Sequence, residues 1–414
     1  MKKSFALFFL FLILLGILPF SAAAEEEHQL DWKALDTPIS YYQKFQGEKI
    51  TLNVYNWGEY ISDGSEDSLD INAEFEALTG IQVNYTTYPS NEDLYAKLKS
   101  GATSYDIVIP SDYMVARLVT EGLLDKLDYN NIPNYRFIME NMRDLEYDPK
   151  NEYSVPYTWG TVGIIYNKKF VDEADVTSWN VLWSHKYEKK ILMFRNSRDA
   201  FGIAQKLLGY SFNTDDEDIY LECADKLKEQ RQVVKIYVMD EIFDKMIGEE
   251  AWLAPYYAGD YLTMVPDNPD LAFSVPQEGS NLFVDAMCVP TGAENKEAAE
   301  MYINFLNETQ VAKANIEYIC YSTPHQAAFE ALDEETRTNP VAYPANSVME
   351  KTEVFINLPE ETNALMDHLW EEILMTQDAN ETRWVLPAVI GACLLATMIK
   401  VIVRQIRRKK NADY

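Results

Sequence analysis

Cysteine and histidine are both scarce, with four of each in 414 residues. Cys223, Cys288, Cys320 and Cys393 show no C-x-x-C or other metal spacing, which excludes a zinc ribbon and a disulfide-dense scaffold. One pairing, Cys288 with Cys320, could close a bridge, but nothing in the spacing supports it. His28, His185, His325 and His368 stand apart, without an H-E-x-x-H arrangement. With no nucleophile–base set and no metal cluster, an enzyme is not expected: no catalytic residue, no metal site and no cofactor. Basic residues are also few, 36 Lys and Arg against 66 Asp and Glu, for a net charge of -30. Such a surface disfavours nucleic acid and anionic lipid and attracts small cations. Acidity alone is a weak pointer, since exported proteins are often acidic for solubility. Internal repeats and low-complexity stretches are absent as well.

What is present begins with two distinctive ends. Lys2 and Lys3 precede an apolar run, Phe5 to Phe20, which closes on Ala22, Ala23 and Ala24. That order is expected of a signal peptide over 1–24, and with no cysteine at its end a lipid anchor is not expected. Trp384 to Val403 is about 20 mostly apolar residues, the length a bilayer core requires. It is followed by Arg404, Arg407, Arg408, Lys409 and Lys410. The expectation is a transmembrane anchor over 384–403 with a basic cytoplasmic tail over 404–414, and everything between on the outer face of the cytoplasmic membrane.

Between the ends lie roughly 355 residues, enough for two domains. After a polar spacer (25–48), Ile50 to Tyr55 reads as a strand. It is followed by a helical stretch with Leu69, Ile71, Phe75 and Leu78 apolar and stopped by Gly80. Ile81, Val83 and Tyr85 alternate as a second strand. Asp93 to Lys99 reads as a helix, 106–110 as a short buried strand, and Ser111 opens another helix. This β-α-β-α-β-α order predicts a parallel sheet with helices on its faces. Further on, 153–167 is an extended run too long for one lobe, best read as crossing between two. Strands are expected near 191–194, 251–257 and 283–290. Helices are expected over 176–187, 201–208, 223–232, 296–306 and 310–319.

Ligands bind at the carboxyl ends of strands in open α/β sheets. The first strand ends in Val54-Tyr55-Asn56-Trp57-Gly58-Glu59-Tyr60, placing two flat rings there, and the third ends at Ser111 and Tyr113. The plainer alternatives are buried loop anchors for Trp57 and Tyr60, and a helix N-cap for Ser111.

The stretches VYNWGEY, TTYPSNEDLYAKLKSG, YDIVIPSDYMV, YSVPYTWGTVGIIYN, VTSWNVLW, LGYSFNT, NKEAAEMYINFL and ICYSTPHQAA occur in that order. Over roughly 49–375 the chain resembles the polyamine-binding (spermidine/putrescine) substrate-binding proteins of bacterial ABC importers. The resemblance implies an α/β, two-lobed periplasmic-binding-protein type II fold with a hinge and an interlobe cleft. It places lobe 1 at 49–159 and 285–328, and lobe 2 at 160–284 and 329–376. It implies aromatic walls at Trp57, Tyr60, Tyr113 and Tyr321 and a polar contact at Ser111. Tyr256 and Phe283 stand where the family has tryptophans, and Asp285 matches an acid that grips an amine. The two acids the family carries three residues apart fall on Asn196 and Asp199, so one carboxylate is missing and the preferred polyamine is open. A family glutamine aligns poorly, around Phe355. Implied partners are a polyamine, a membrane permease and its ATPase.

The chemistry suits such a ligand. Aromatic faces cover methylenes and attract ammonium groups at about 0.5–2 kcal/mol each, and desolvated carboxylates pair with the amines. For Asp199 and Asp285 the plainer alternative is helix capping or surface charge. Two other functions remain open at this level. Tyr256-Tyr257 is an adjacent pair of the kind ferric-ion-binding proteins use, although iron favours hard oxygen or imidazole partners over a tryptophan- and phenylalanine-rich cleft. A sensory or surface receptor without transport is the other.

Overall fold

The computed structural model describes residues 30–382. The expected signal segment, spanning segment and basic tail lie outside them. Among the described residues no helix is long and apolar enough to cross a membrane. The expected architecture is corrected on that point: the described fold is the two-lobed α/β structure, and none of its helices is a spanning one. The long helix Glu360–Thr382 illustrates why, since Glu360, Glu361, Asp367, His368, Glu371 and Glu372 interrupt its apolar residues.

Strand β1 (Thr51–Trp57), helix α1 (Ile71–Thr79), β2 (Gln82–Tyr88), α2 (Asn91–Ser100), β3 (Ile107–Val108) and α3 (Asp112–Thr120) form the first βαβαβα run. Sequence signals set these ends. Asp70 caps α1 by accepting from the Ala73 amide, Gly80 ends it at φ 78°, and Ser90 caps α2. β1 pairs in parallel with β2 on one side and β3 on the other.

The long strand β4 (Ser154–Asn167) is buried along its whole length. β5 (Ile191–Phe194), α4 (Ser197–Leu208), α5 (Glu217–Gln230), β6 (Val234–Val238), α6 (Ile242–Ile247), β7 (Leu253–Tyr257), α7 (Ala258–Met264) and β8 (Leu271–Ser274) follow. β9 (Ser280–Cys288) then returns antiparallel to β4, from Ser154 opposite Cys288 to Thr161 opposite Leu282. The register shifts between Pro156 and Thr158, as a proline without an N–H in mid-sheet requires. Helices α8 (Lys296–Leu306) and α9 (Thr309–Ile319), a short strand β10 (Thr352–Glu353) and α10 (Glu360–Thr382) complete the chain.

The strand order is β2-β1-β3-β9-β4-β7-β5-β6, with β10 on β9 and β8 on β4. One lobe is built on β1–β3 and the other on β5–β8, and β4 and β9 run through both. Segment 176–187 forms three short 3-10 turns instead of one helix, holding Trp179 fully buried with its indole N–H on the Gly279 carbonyl at 2.9 Å. The described part of the spacer packs down: Tyr42 is 0% exposed and donates to Glu308 at 2.6 Å. Cys223, Cys288 and Cys320 are all free thiols, so the Cys288–Cys320 bridge does not form.

Candidate functional site

β1 and β3 of one lobe and β5, β6 and β7 of the other present their carboxyl ends to a single cavity. It encloses about 680 Å³ of space not filled by protein atoms, part of it open to solvent. All ten residues singled out from sequence line it: Trp57, Tyr60, Ser111, Tyr113, Asn196, Asp199, Tyr256, Phe283, Asp285 and Tyr321.

The rings make a connected wall. Tyr60 meets Tyr321 edge-on at 4.8 Å, Tyr321 meets Phe283 at 6.1 Å, and Phe283 meets Tyr257 at 5.2 Å. Trp57 packs on Tyr88 at 4.7 Å and is only half-buried, leaving ring surface to the cavity. Two glycines let the lobes touch. A Cβ on Gly58 would collide with the Asp240 carboxylate, and one on Gly259 would collide with the Tyr321 ring.

Within this wall four carboxyls are each held by a phenol. Tyr60 donates to Asp285 Oδ2 at 2.5 Å, Tyr257 to Asp199 Oδ2 at 2.9 Å, and Tyr113 to Glu92 Oε1 at 2.9 Å. Tyr321 plays the same part for Asp260. Asp285 is 4% exposed and its other oxygen, Oδ1, has no partner. Burial pushes Asp285 up to about 6, Asp199 adds repulsion, and the Ser111 and Tyr60 hydroxyls oppose both. Burial likewise lifts Asp260 to about 8, with Asp240, Glu59 and Asp285 adding to it. Glu92 is raised by burial to about 7, with Asp367 and Asp199 contributing. Asp199 is also raised by burial, against the pull of Asn196, Tyr257 and Arg198. Desolvated, mutually repelling carboxyls are a poor arrangement for a resting fold and a good one for a multivalent cation.

Two alternatives read from the sequence give way. Ser111 stands at the N-cap of α3 but makes no capping bond; its hydroxyl accepts from Asn91 Nδ2 at 3.1 Å beside the cavity. Asp112 fixes this loop instead, its buried carboxylate accepting from the Tyr113 amide at 2.7 Å and the Val284 amide at 3.1 Å. Neither Asp199 nor Asp285 is a surface charge, at 9% and 4% exposure. Asn196 does cap α4: its Oδ1 accepts from the Asp199 amide and its Nδ2 donates to Asp199 Oδ2, both at 2.8 Å. Tyr256 and Tyr257 are not a metal-ready phenolate pair. Burial holds both phenols well above their ordinary range, Tyr256 stacks on Phe194 at 5.2 Å, and the Tyr257 hydroxyl donates a hydrogen bond to Asp199.

Sequence reasoning missed Glu92, Asp240, Asp260 and Asn281, which also line the cavity, and placed Phe355 only poorly. Asn281 carried a signal, because residues 281, 283 and 285 share one face of a strand. Asp260 lies in the first turn of the helix after β7, a place a strand–helix reading can mark. Glu92 had none, since an acid in a helix's first turn reads as a partner for the helix dipole.

Comparison with known proteins identifies the family. Residues 70–344 match the family described as bacterial extracellular solute-binding protein. The spermidine/putrescine-binding periplasmic protein of Salmonella typhimurium is 34% identical over 304 residues, spanning 73% of this chain and 86% of that protein. A structure titled as a putative spermidine/putrescine ABC transporter from Listeria monocytogenes superposes with TM-score 0.75 at 35% identity, covering 79% of this chain and 99% of that one. The spermidine/putrescine ABC transporter substrate-binding protein of Streptococcus pneumoniae gives 0.66 at 36%, covering 79% and 99%.

Proposed function

The chain belongs to the bacterial extracellular solute-binding proteins, and from that premise we propose that its cavity captures a polyamine, putrescine or spermidine, for an ABC importer. It is a binding protein rather than an enzyme, it acts outside the cytoplasm, and it delivers its ligand to a membrane permease driven by an ATPase. The observation that carries the reading is the set of carboxyl–phenol pairs, Asp285–Tyr60, Asp199–Tyr257, Glu92–Tyr113 and Asp260–Tyr321, spaced through an aromatic wall. A flexible chain of methylenes punctuated by ammonium groups matches that alternation. The rings cover methylenes and the carboxylates take the amines, each pairing strengthened by exclusion of water.

In this reading the ligand contacts are Trp57, Tyr60, Ser111, Tyr113, Asp199, Tyr256, Phe283, Asp285 and Tyr321, with Asn196 holding Asp199 in place. Lobe 1 comprises 49–159 and 285–328 and lobe 2 comprises 160–284 and 329–376; of the three crossings, the first two fall within β4 and β9. Ligand bound to one wall gains the contacts of the other only when the lobes close, so binding and closure are one equilibrium. Calorimetric titration with putrescine, spermidine, spermine and ferric citrate tests this. Heat is expected with a polyamine at micromolar protein, and greatly weakened binding in Trp57→Ala and Asp285→Ala. Silence with every polyamine removes the function, and normal binding by either variant removes the site assignment.

A further inference from the structure

At one end of the cavity the local charge does not come from the α4 loop alone. Asn196 contributes none, and both ends of its amide are already committed to Asp199. Asp199 Oδ2 is shared by Asn196 and Tyr257. Across the cleft, the first turn of α2 in the other lobe brings Glu92 to the same cavity. Tyr113 donates to its Oε1 at 2.9 Å, while its Oε2 is enclosed and has no partner. Among the described residues no salt bridge to Glu92 forms. The nearby cation, Arg198, gives its Nη2 to Asn213 at 3.3 Å and the Ile356 carbonyl at 3.1 Å, with its guanidinium 4.5 Å from the Phe355 ring centre and 5.6 Å from that of Tyr113. A carboxylate that merely complements a helix dipole sits in water. This one has its Oε2 shut off from water and unpartnered, and it is within electrostatic reach of Asp199.

We propose that Glu92 is a specificity-determining ligand residue, sharing one ammonium of the bound polyamine with Asp199 from the opposite wall. This rests on the polyamine reading above. Its consequence is that the amine at this end is gripped by both lobes, so it favours the closed state directly: either carboxylate alone is only half of its site. It also restores to this end of the cleft a second negative charge that Asn196 lacks, so a triamine remains a fitting ligand.

The test is titration of the full chain with spermidine and with putrescine, comparing wild type, Glu92→Gln, Asn196→Asp and the double variant. Glu92→Gln keeps the Tyr113 hydrogen bond and removes the charge, so spermidine affinity is expected to fall by about ten- to a hundredfold, the worth of a charged hydrogen-bonded pair. Aspartate caps a helix as well as asparagine, so Asn196→Asp preserves α4; it exchanges the Nδ2 donor to Asp199 Oδ2 for a carboxylate, a repulsion that the bound ammonium offsets, and is expected to recover most of the loss in the double variant. Unchanged spermidine affinity in Glu92→Gln, or a loss that the new carboxylate at 196 fails to recover, overturns the assignment. No binding of either amine by the wild type refutes the polyamine reading itself, a result distinct from both.

Discussion

Lowering the pH from 8 to 6 is expected to weaken polyamine binding, and binding at neutral pH is expected to expel protons. Three cavity carboxyls set the window: Asp260 at about 8, Glu92 at about 7 and Asp285 at about 6. In the unliganded cleft, burial and mutual repulsion raise all three, so that at pH 7 Asp260 is mostly protonated, Glu92 about half and Asp285 little. Ligand amines, with pKa values roughly that of lysine at 10.4, stay charged throughout. Pairing with an ammonium ionises each carboxyl, so each group binds its proton more tightly in the free protein than in the complex. Affinity from each is therefore full above its free-protein pKa and lost as pH falls through that value. At pH 7 roughly one to two protons leave per ligand bound. Between pH 8 and pH 6 the dissociation constant rises by about a hundred- to a thousandfold, or about 3–4 kcal/mol at 1.4 kcal/mol per decade. The lower end is the better expectation, because Glu92 is only partly enclosed. Calorimetry at pH 7 in buffers of different ionisation enthalpy measures the proton number from the slope of heat against that enthalpy, and titrations at the three pH values give the affinities. A slope of zero, with a dissociation constant constant to within about twofold over this range, would refute the reasoning.

Two further predictions concern the same carboxyls. Tyr60→Phe removes the phenol that donates to Asp285 at 2.5 Å; a hydrogen bond to a charged group is worth about 1.5–3 kcal/mol, so polyamine affinity at pH 7 should drop at least about tenfold, and normal titration by this variant would contradict the pairing. The unliganded protein should melt at higher temperature as pH falls from 8 towards 5. A carboxyl whose folded pKa exceeds its unfolded value of about 4 contributes stability that is full below that value and lost as pH rises through the folded one. For Asp285, Glu92 and Asp260 those folded values are about 6, 7 and 8. Saturating spermidine should accordingly raise the melting temperature most at pH 8. A melting temperature that falls on acidification in this window, measured by calorimetry, goes against the reading.

Much of the first lobe was legible because its signals are local. Alternation marked β2, Gly80 stopped α1, and the expected 296–306 helix is observed as Lys296–Leu306. The edge strand β6 was not read, and its pattern explains why: Ile236 is 41% exposed while its neighbours Tyr237 and Val238 are buried. With it went Asp240, which follows that strand into the cavity. The 176–187 segment has two tryptophans that suggested a helix, but serines at 178 and 184 cap short 3-10 turns and break it into pieces. The spanning segment expected over 384–403 lies outside the described residues, and no described helix takes that role.

By itself the sequence determined where the aromatic and acidic side chains leave their strands, since strand ends, caps and two-residue alternation are properties of neighbours along the chain. It placed Trp57 and Tyr60 after β1, Ser111 and Tyr113 after β3, and Phe283 and Asp285 on one face of β9. Only the tertiary structure decided that these meet, with Tyr60 donating to an aspartate 225 positions away. It alone revealed that Asn196 caps α4 and holds Asp199, that Asp260 and Glu92 join the cavity, and that burial pushes both carboxyls up. The physical reason is that burial and Coulomb repulsion depend on separation in space and on the exclusion of water, and neither quantity is written in the order of residues.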